Sequence, residues 1–261
     1  MIGIFDSGVG GLSLLRELDH SLPEADFLYL SDSACFPYGT RPPEWIKDRA
    51  AAITRVLTGR GCSLVVAACN TATVAAIEHL RKKFPVPFVG IVPPVKPAAA
   101  TSPEKPLAVL MTENTAEGSK YTDLVKTYAG DSVVAEVRLP LLAEVVEELG
   151  FTDPVQAERV VAEVRSRLGK SRSGWRLVLG CTHYVFLRPL LERGLGPEVE
   201  VLDPCSAVAA QVVRVCESRG ITVIEGGARR YLTTGDPERF AWQVSELLGV
   251  QRPQVEKVEL A

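Results

Sequence analysis

Short, continuous apolar runs recur along this chain, spaced by stretches long enough to hold a helix. Ile2–Phe5, Phe27–Leu30, Leu64–Ala68, Phe88–Val92, Leu107–Met111, Val133–Val137, Arg176–Leu179, Val199–Leu202 and Ile221–Ile224 read as strands. A strand with one wet face alternates apolar and polar residues. These runs do not, so both faces are expected to be covered. Helical stretches lie between them: Leu12–Leu18, Thr71–Phe84, Ser206–Ser218 and Asp236–Leu248. A further helix opens at Pro154, with Asp153 as its N-cap, and runs to about Leu168. Proline suits a first turn because the N–H it lacks has no intrahelical partner there. Strands alternating with helices predict an α/β protein with parallel sheets, in flavodoxin-like units of three layers.

At 261 residues the chain can form one large domain or two small ones. The stretch VPPVKPAAATSPEKP, from Val92 to Pro106, holds five prolines and reads as a crossing between two halves. A second crossing is expected near Asp203–Pro204. This gives a first domain of residues 1–95 with 206–261, and a second of residues 96–205. IGIFDSGVGG and LAVLMTENTAEGS both run from a strand through small polar residues into a helix start. Two similar units facing each other is the simplest account, although any two βα units share such features.

Composition excludes several classes of function. The net charge of −3 provides no basic field for nucleic acid or an anionic membrane. No apolar stretch approaches the ~20 residues of a transmembrane helix. MIGIFDSGVGG has no basic region ahead of an apolar core, so no signal peptide is expected. The six cysteines are scattered without a CxxC pair, which points to free thiols in a reducing cytoplasm. His20, His79 and His183 share no ligand spacing with them, and no metal site is expected.

Ligands of open parallel sheets bind beyond the carboxyl ends of the strands, and the polar corners of this chain fall there. DSGVGG, Asp6 to Gly11, brings flexible backbone and helix-start N–H groups together, which suits a carboxylate or phosphate. A tight turn also wants glycine, and Asp6 could simply be an N-cap. PYGT, Pro37 to Thr40, offers a rigid turn, the Gly39 N–H and a hydroxyl. ACNTATVA, beginning at Ala68, and GCTHYVFL, beginning at Gly180, each place a cysteine where a strand ends and a helix begins. A helix dipole favours the thiolate at that position. Cys62 and Cys216 read as small core residues, and Cys35 and Cys205 as structural or incidental. His183 stands two residues after Cys181, where it could assist proton transfer. Two opposed thiols can invert a carbon centre: one removes a proton from one face and the other returns a proton to the opposite face.

GIFDSGVGGLS, SDSACFPYGTR, ACNTAT, TENTAEGSKY, LGCTHYVFLRPLL and YLTTGDPERF, in this order, resemble the glutamate racemases of the cofactor-independent aspartate/glutamate racemase superfamily. The resemblance spans nearly the whole chain. It implies two α/β domains with an active site in the interdomain cleft, no cofactor, L- and D-glutamate as substrates, and a homodimer. It matches Cys69 and Cys181 to the catalytic thiols, with Cys69 acting on D-glutamate and Cys181 on L-glutamate. It gives Asp6 a part in both proton transfer and substrate contact, with Ser7 beside it. Pro37, Tyr38, Gly39 and Thr40 correspond to a loop lining the substrate. Asn70, Thr71 and Thr182 correspond to groups holding the carboxylates and amine, and Thr115 to a threonine at a strand end of the second domain. His183 corresponds to the histidine supporting the second cysteine, and Glu147 to its acidic partner. Glu144 and Glu148 lie close to Glu147, and all three could be a solvated helix face. Supply of D-glutamate to peptidoglycan synthesis is the implied role, with aspartate as the alternative substrate. Pro93 and Pro94 follow Val92 where many relatives carry a glutamate, Met111 stands where a small residue is common, and Cys205 is an extra thiol.

Overall fold

Every apolar run that falls on described residues becomes a strand, and these strands pair in parallel. The computed structural model describes residues 1–101, 105–129, 132, 134–169, 174–221 and 226–260. The expected strand Ile221–Ile224 falls almost wholly on residues outside this set. The chain divides into two units, Met1–Ile91 with Cys205–Ala261, and Val92–Pro204.

The first unit begins β1 (Ile2–Asp6), α1 (Leu12–Ser21), β2 (Phe27–Ser31), α2 (Pro43–Gly59), β3 (Leu64–Ala67), α3 (Asn70–Lys83) and β4 (Phe88–Gly90). The second unit runs α4 (Val95–Thr101), β5 (Leu107–Met111), α5 (Glu113–Glu117), α6 (Ser119–Tyr128), β6 (Val134–Arg138), α7 (Leu141–Glu147), α8 (Pro154–Leu168), β7 (Arg176–Leu179), α9 (Thr182–Val185), α10 (Arg188–Leu195) and β8 (Glu200–Leu202). The chain then rejoins the first unit as α11 (Cys205–Arg219), β9 (Arg229–Thr233), α12 (Pro237–Leu248) and β10 (Val255–Lys257).

The first sheet has the order β10-β9-β2-β1-β3-β4 and the second β6-β5-β7-β8. With the tail strands β9 and β10 set aside, both follow one plan: second strand, first, third, fourth. This is the flavodoxin-like order, in which the switch point lies between the first and third strands. The register aligns Asp6 with Ser31 and Phe5 with Ala67, so the carboxyl ends of β1, β2 and β3 share one edge. In the second unit Leu110 aligns with Leu179, placing the ends of β5 and β7 together.

Alternate residues of the first sheet serve opposite layers. Phe5, Leu28, Leu30, Val65 and Ala67 pack with Ile46, Ala50, Ile53 and Leu57 of α2 and with Ala72, Ala76 and Leu80 of α3. Each such large side chain contributes about 1.5–3 kcal/mol by leaving water. Tyr29 points the other way and stacks on Phe240 of α12, with ring centroids 5.9 Å apart. In the second unit Val95, Ala98 and Ala99 of α4 and Tyr121 of α6 cover Leu107, Val109, Met111 and Val178. Gly194 of α10 has no room for a Cβ against Val161, which lets α8 and α10 cross closely.

The structure departs from the sequence expectation in several places. The proline-rich stretch contains helix α4, which accommodates Pro97 because the first turn leaves its amide positions without intrahelical partners. Helix α2 and strands β9 and β10 lie outside the expected elements. Strand β9 opens with two arginines, Arg229 and Arg230, which mask its apolar end. Among the described residues no helix is long and apolar enough to cross a membrane.

Candidate active site

In the first unit, Asp6 closes β1 and is fully buried. Its Oδ1 accepts hydrogen bonds from the Gly8 N–H at 2.8 Å and the Ser7 hydroxyl at 3.3 Å. Asp6 is not the N-cap of α1; Gly11 holds that position, without a side-chain cap bond. A Cβ on Gly11 would lie 2.9 Å from Asp6 Cβ, from Ala68 Cβ and from the Tyr29 hydroxyl, so only hydrogen fits beneath this loop.

Cys69 follows β3 as the N-cap of α3, and its sulfur accepts the Ala72 N–H at 3.4 Å. The same sulfur lies 3.8 Å from Ser7 Oγ. A backbone donor and the positive end of a helix both favour a thiolate here. Asn70 is buried, and neither atom of its side-chain amide has a hydrogen-bond partner. Leaving a buried polar group unsatisfied costs about 1–3 kcal/mol, a cost that a polar ligand would relieve. Thr71 beside it is also buried.

The loop after β2 carries the PYGT segment. Pro37 follows a cis peptide bond, and Tyr38–Thr40 form a single 3-10 turn. Tyr38 is buried while Thr40 is exposed. The Tyr38 hydroxyl donates to Asp32 Oδ2 at 2.5 Å. Burial, followed by the charge of Asp32, holds the Tyr38 phenol well above its ordinary pKa, so it remains a donor.

In the second unit, Cys181 follows β7 as the N-cap of α9, but α9 has only four residues and makes no side-chain cap bond. Both thiols open a helix as expected, but the two are unequal: a single turn aligns fewer peptide dipoles than α3. Cys181 Sγ is instead 3.8 Å from His183 Nδ1. His183 Nε2 is 2.8 Å from Glu147 Oε1. Both residues are buried, whereas Glu144 and Glu148 are exposed. A carboxylate accepting the Nε2–H leaves Nδ1 as a base facing the thiol. Thr115 and Thr182 are buried in the same unit, and Thr115 Oγ1 is 3.0 Å from Thr112 Oγ1. Gly180 lets β7 close on β5: its N–H donates to Leu110 O at 2.7 Å, and a Cβ would lie 2.8 Å from that oxygen.

The remaining thiols have different surroundings. Burial pushes Cys62 up to about 11 and also raises Cys216 and Cys35. Cys205 lies 3.7 Å from Ser13 Oγ. Among the described residues no group of three or more His, Cys, Asp or Glu side chains is arranged to hold a metal ion. The sequence reading missed the partners of Asp32. Arg49 and Thr234 both bond its carboxylate, and neither stands near it in the chain.

Two parallel-sheet units of one strand order, each with a buried cysteine just past its third strand, define the class: a two-unit α/β protein with a repeated thiol corner. The chain belongs to the Asp/Glu/hydantoin racemase family, whose profile matches residues 3–212. Its relatives within that family include a glutamate racemase from Roseiflexus sp. (strain RS-1), 42% identical over 92% of this chain and 89% of the relative. Among solved structures, Escherichia coli glutamate racemase in complex with L-glutamate and the activator UDP-MurNAc-Ala aligns with a TM-score of 0.89. That pair is 28% identical, with 100% of this chain and 98% of the other covered. An aspartate racemase homologue from Pyrococcus horikoshii shares the fold at a TM-score of 0.54 and 18% identity, over 83% of this chain and 98% of its own.

Proposed function

We propose that this protein interconverts L- and D-glutamate without a cofactor, by proton transfer between the α-carbon and two thiols. The observation that carries this reading is the repeated buried thiol, one at the end of the third strand of each unit, in a chain 42% identical to a glutamate racemase. With D-glutamate bound, the Cys69 thiolate takes the α-proton and the Cys181 thiol delivers its own proton to the opposite face. The C–H bond that breaks leaves its electron pair on the α-carbon, delocalised into the carboxylate, and the new C–H bond uses that pair. After one turnover Cys69 is a thiol and Cys181 a thiolate, which is the state required for L-glutamate. One acid/base group is needed on each face of the carbon, and Cys69 and Cys181 are the two in this reading.

The remaining residues act on charge and position. Ser7 lies beside Cys69 and donates to Asp6, and His183, oriented by Glu147, holds and releases the proton of Cys181. Asn70, Thr71, Thr115, Thr182 and the Pro37–Thr40 loop hold the carboxylates and ammonium of the substrate. Fixed donors around those charges stabilise the developing carbanion more than water does. Glutamate is preferred over aspartate in this reading. One methylene is worth only about 1–3 kcal/mol of discrimination, so a comparison of turnover on the two amino acids decides between them. The enzyme works in the cytoplasm as a homodimer and supplies D-glutamate to peptidoglycan synthesis. Circular dichroism of L-glutamate with purified, reduced protein and no added cofactor is expected to decay to zero. A constant signal over hours would overturn the proposal.

A further inference from the structure

We propose that Arg49, Asp32 and Thr234 form a positioning clamp that fixes the Pro37–Thr40 loop where it meets bound glutamate; the proposal rests on the racemase reading above. Asp32 follows β2 and is fully buried. Its carboxylate accepts four hydrogen bonds from three other segments. Arg49 of α2 donates Nε to Oδ2 at 2.8 Å and Nη2 to Oδ1 at 2.6 Å. The Tyr38 hydroxyl donates to Oδ2 at 2.5 Å, and Thr234 Oγ1, just past β9, donates to Oδ1 at 2.7 Å. The tail is tied in further: Thr234 Oγ1 accepts the Ala34 N–H at 3.2 Å, and Thr233 Oγ1 is 2.8 Å from Ser33 Oγ.

The clamp reaches the reacting thiol through Tyr38, whose ring packs in the same core cluster as Cys69. Its other side meets Trp45 of α2 edge-on, with ring centroids 5.6 Å apart. A buried ion pair is a weak stabilising device, because desolvation of both charges offsets much of their attraction. A planar guanidinium fork on a carboxylate does fix direction. Residues 32–42 carry only two single 3-10 turns, so the loop has little regular structure to hold it in place. Arg49 and Thr234 therefore act through Asp32 and Tyr38 and touch no reacting atom.

The test is steady-state racemisation of glutamate by the full chain. Arg49→Ala is expected to raise KM roughly 10-fold with a smaller change in kcat, because a displaced loop weakens substrate positioning. Added guanidinium ion at millimolar concentration should restore part of the loss. Thr234→Val, which deletes one donor and leaves the ion pair, is expected to raise KM about 3-fold. L- and D-glutamate are equal in free energy, so kcat/KM must fall by the same factor from either enantiomer. A purely structural role would lower Tm and the active fraction while leaving KM unchanged. A folded Arg49→Ala with wild-type KM overturns the clamp. If that variant does not fold, wild-type KM in Thr234→Val overturns it. A wild-type chain that leaves glutamate unchanged overturns the racemase reading, and the clamp with it.

Discussion

Cys69 and Cys181 occupy equivalent places in two sheets of one strand order, but their surroundings differ. Cys69 heads a fourteen-residue helix and takes a backbone N–H on its sulfur. Cys181 heads a four-residue turn and has an imidazole at 3.8 Å, backed by a buried carboxylate. In the proposed reaction both thiols exchange a proton with the substrate, and the neighbours differ: a backbone N–H and a long helix at Cys69, two side chains in series at Cys181. A backbone device survives most substitutions around it. A relay of two side chains depends on both, so the Cys181 corner is the more fragile.

Replacing either thiol should have the largest effect. Cys69→Ser and Cys181→Ser are each expected to lower racemisation by roughly a thousandfold or more, because a hydroxyl is a far weaker acid than a thiol of pKa about 8.5. Circular dichroism in deuterated water measures this, and a wild-type rate in either variant would break the equivalence of the two corners. His183→Ala comes next, with a loss of about 100-fold in kcat, since it removes the proton partner of Cys181. Glu147→Gln should cost less, about 10-fold, because the imidazole keeps a hydrogen-bond partner and loses only its charge. Ser7→Ala is expected to cost only about 2–5-fold, as the helix dipole at Cys69 persists. A Ser7 effect equal to that of His183 would erase the proposed difference between the corners.

The smallest effect separates site thiols from core thiols. Burial raises Cys62 from 9.0 to about 11. Below pH 9 this thiol is protonated in both folded and unfolded chains. Between pH 9 and 11 mainly the unfolded chain ionises, so stability falls as pH rises through that window, by about 2–3 kcal/mol. Urea unfolding of Cys62→Ala across the window should show a shallower decline than wild type. Its racemisation at neutral pH should be unchanged.

Local patterns made much of this molecule readable. Strands β1, β2, β3, β5 and β7 were legible because runs buried on both faces are mostly apolar, and α8 because Asp153 and Pro154 mark its start. Strand β9 was not, since it opens with two arginines that do not join the sheet core: Arg229 pairs with Asp19 and Arg230 is exposed. The cysteine corners were legible as strand ends, and the likeness to a known family assigned them a reaction. Glu147 could not be separated from Glu144 and Glu148 by spacing, because three carboxylates on and just after one short helix differ only in what each faces. Burial against His183 makes that choice.

Sequence alone determined the class of fold and the two thiol corners, because strand periodicity, helix starts and turn chemistry are written over a few neighbouring residues. Tertiary structure decided how each corner is supported. Cys69 takes Ser7 as a neighbour from 62 residues away, His183 takes Glu147 from 36, and Asp32 takes Thr234 from 202. Such partners are chosen by which segments the sheet order brings to one edge, and no local pattern records that order.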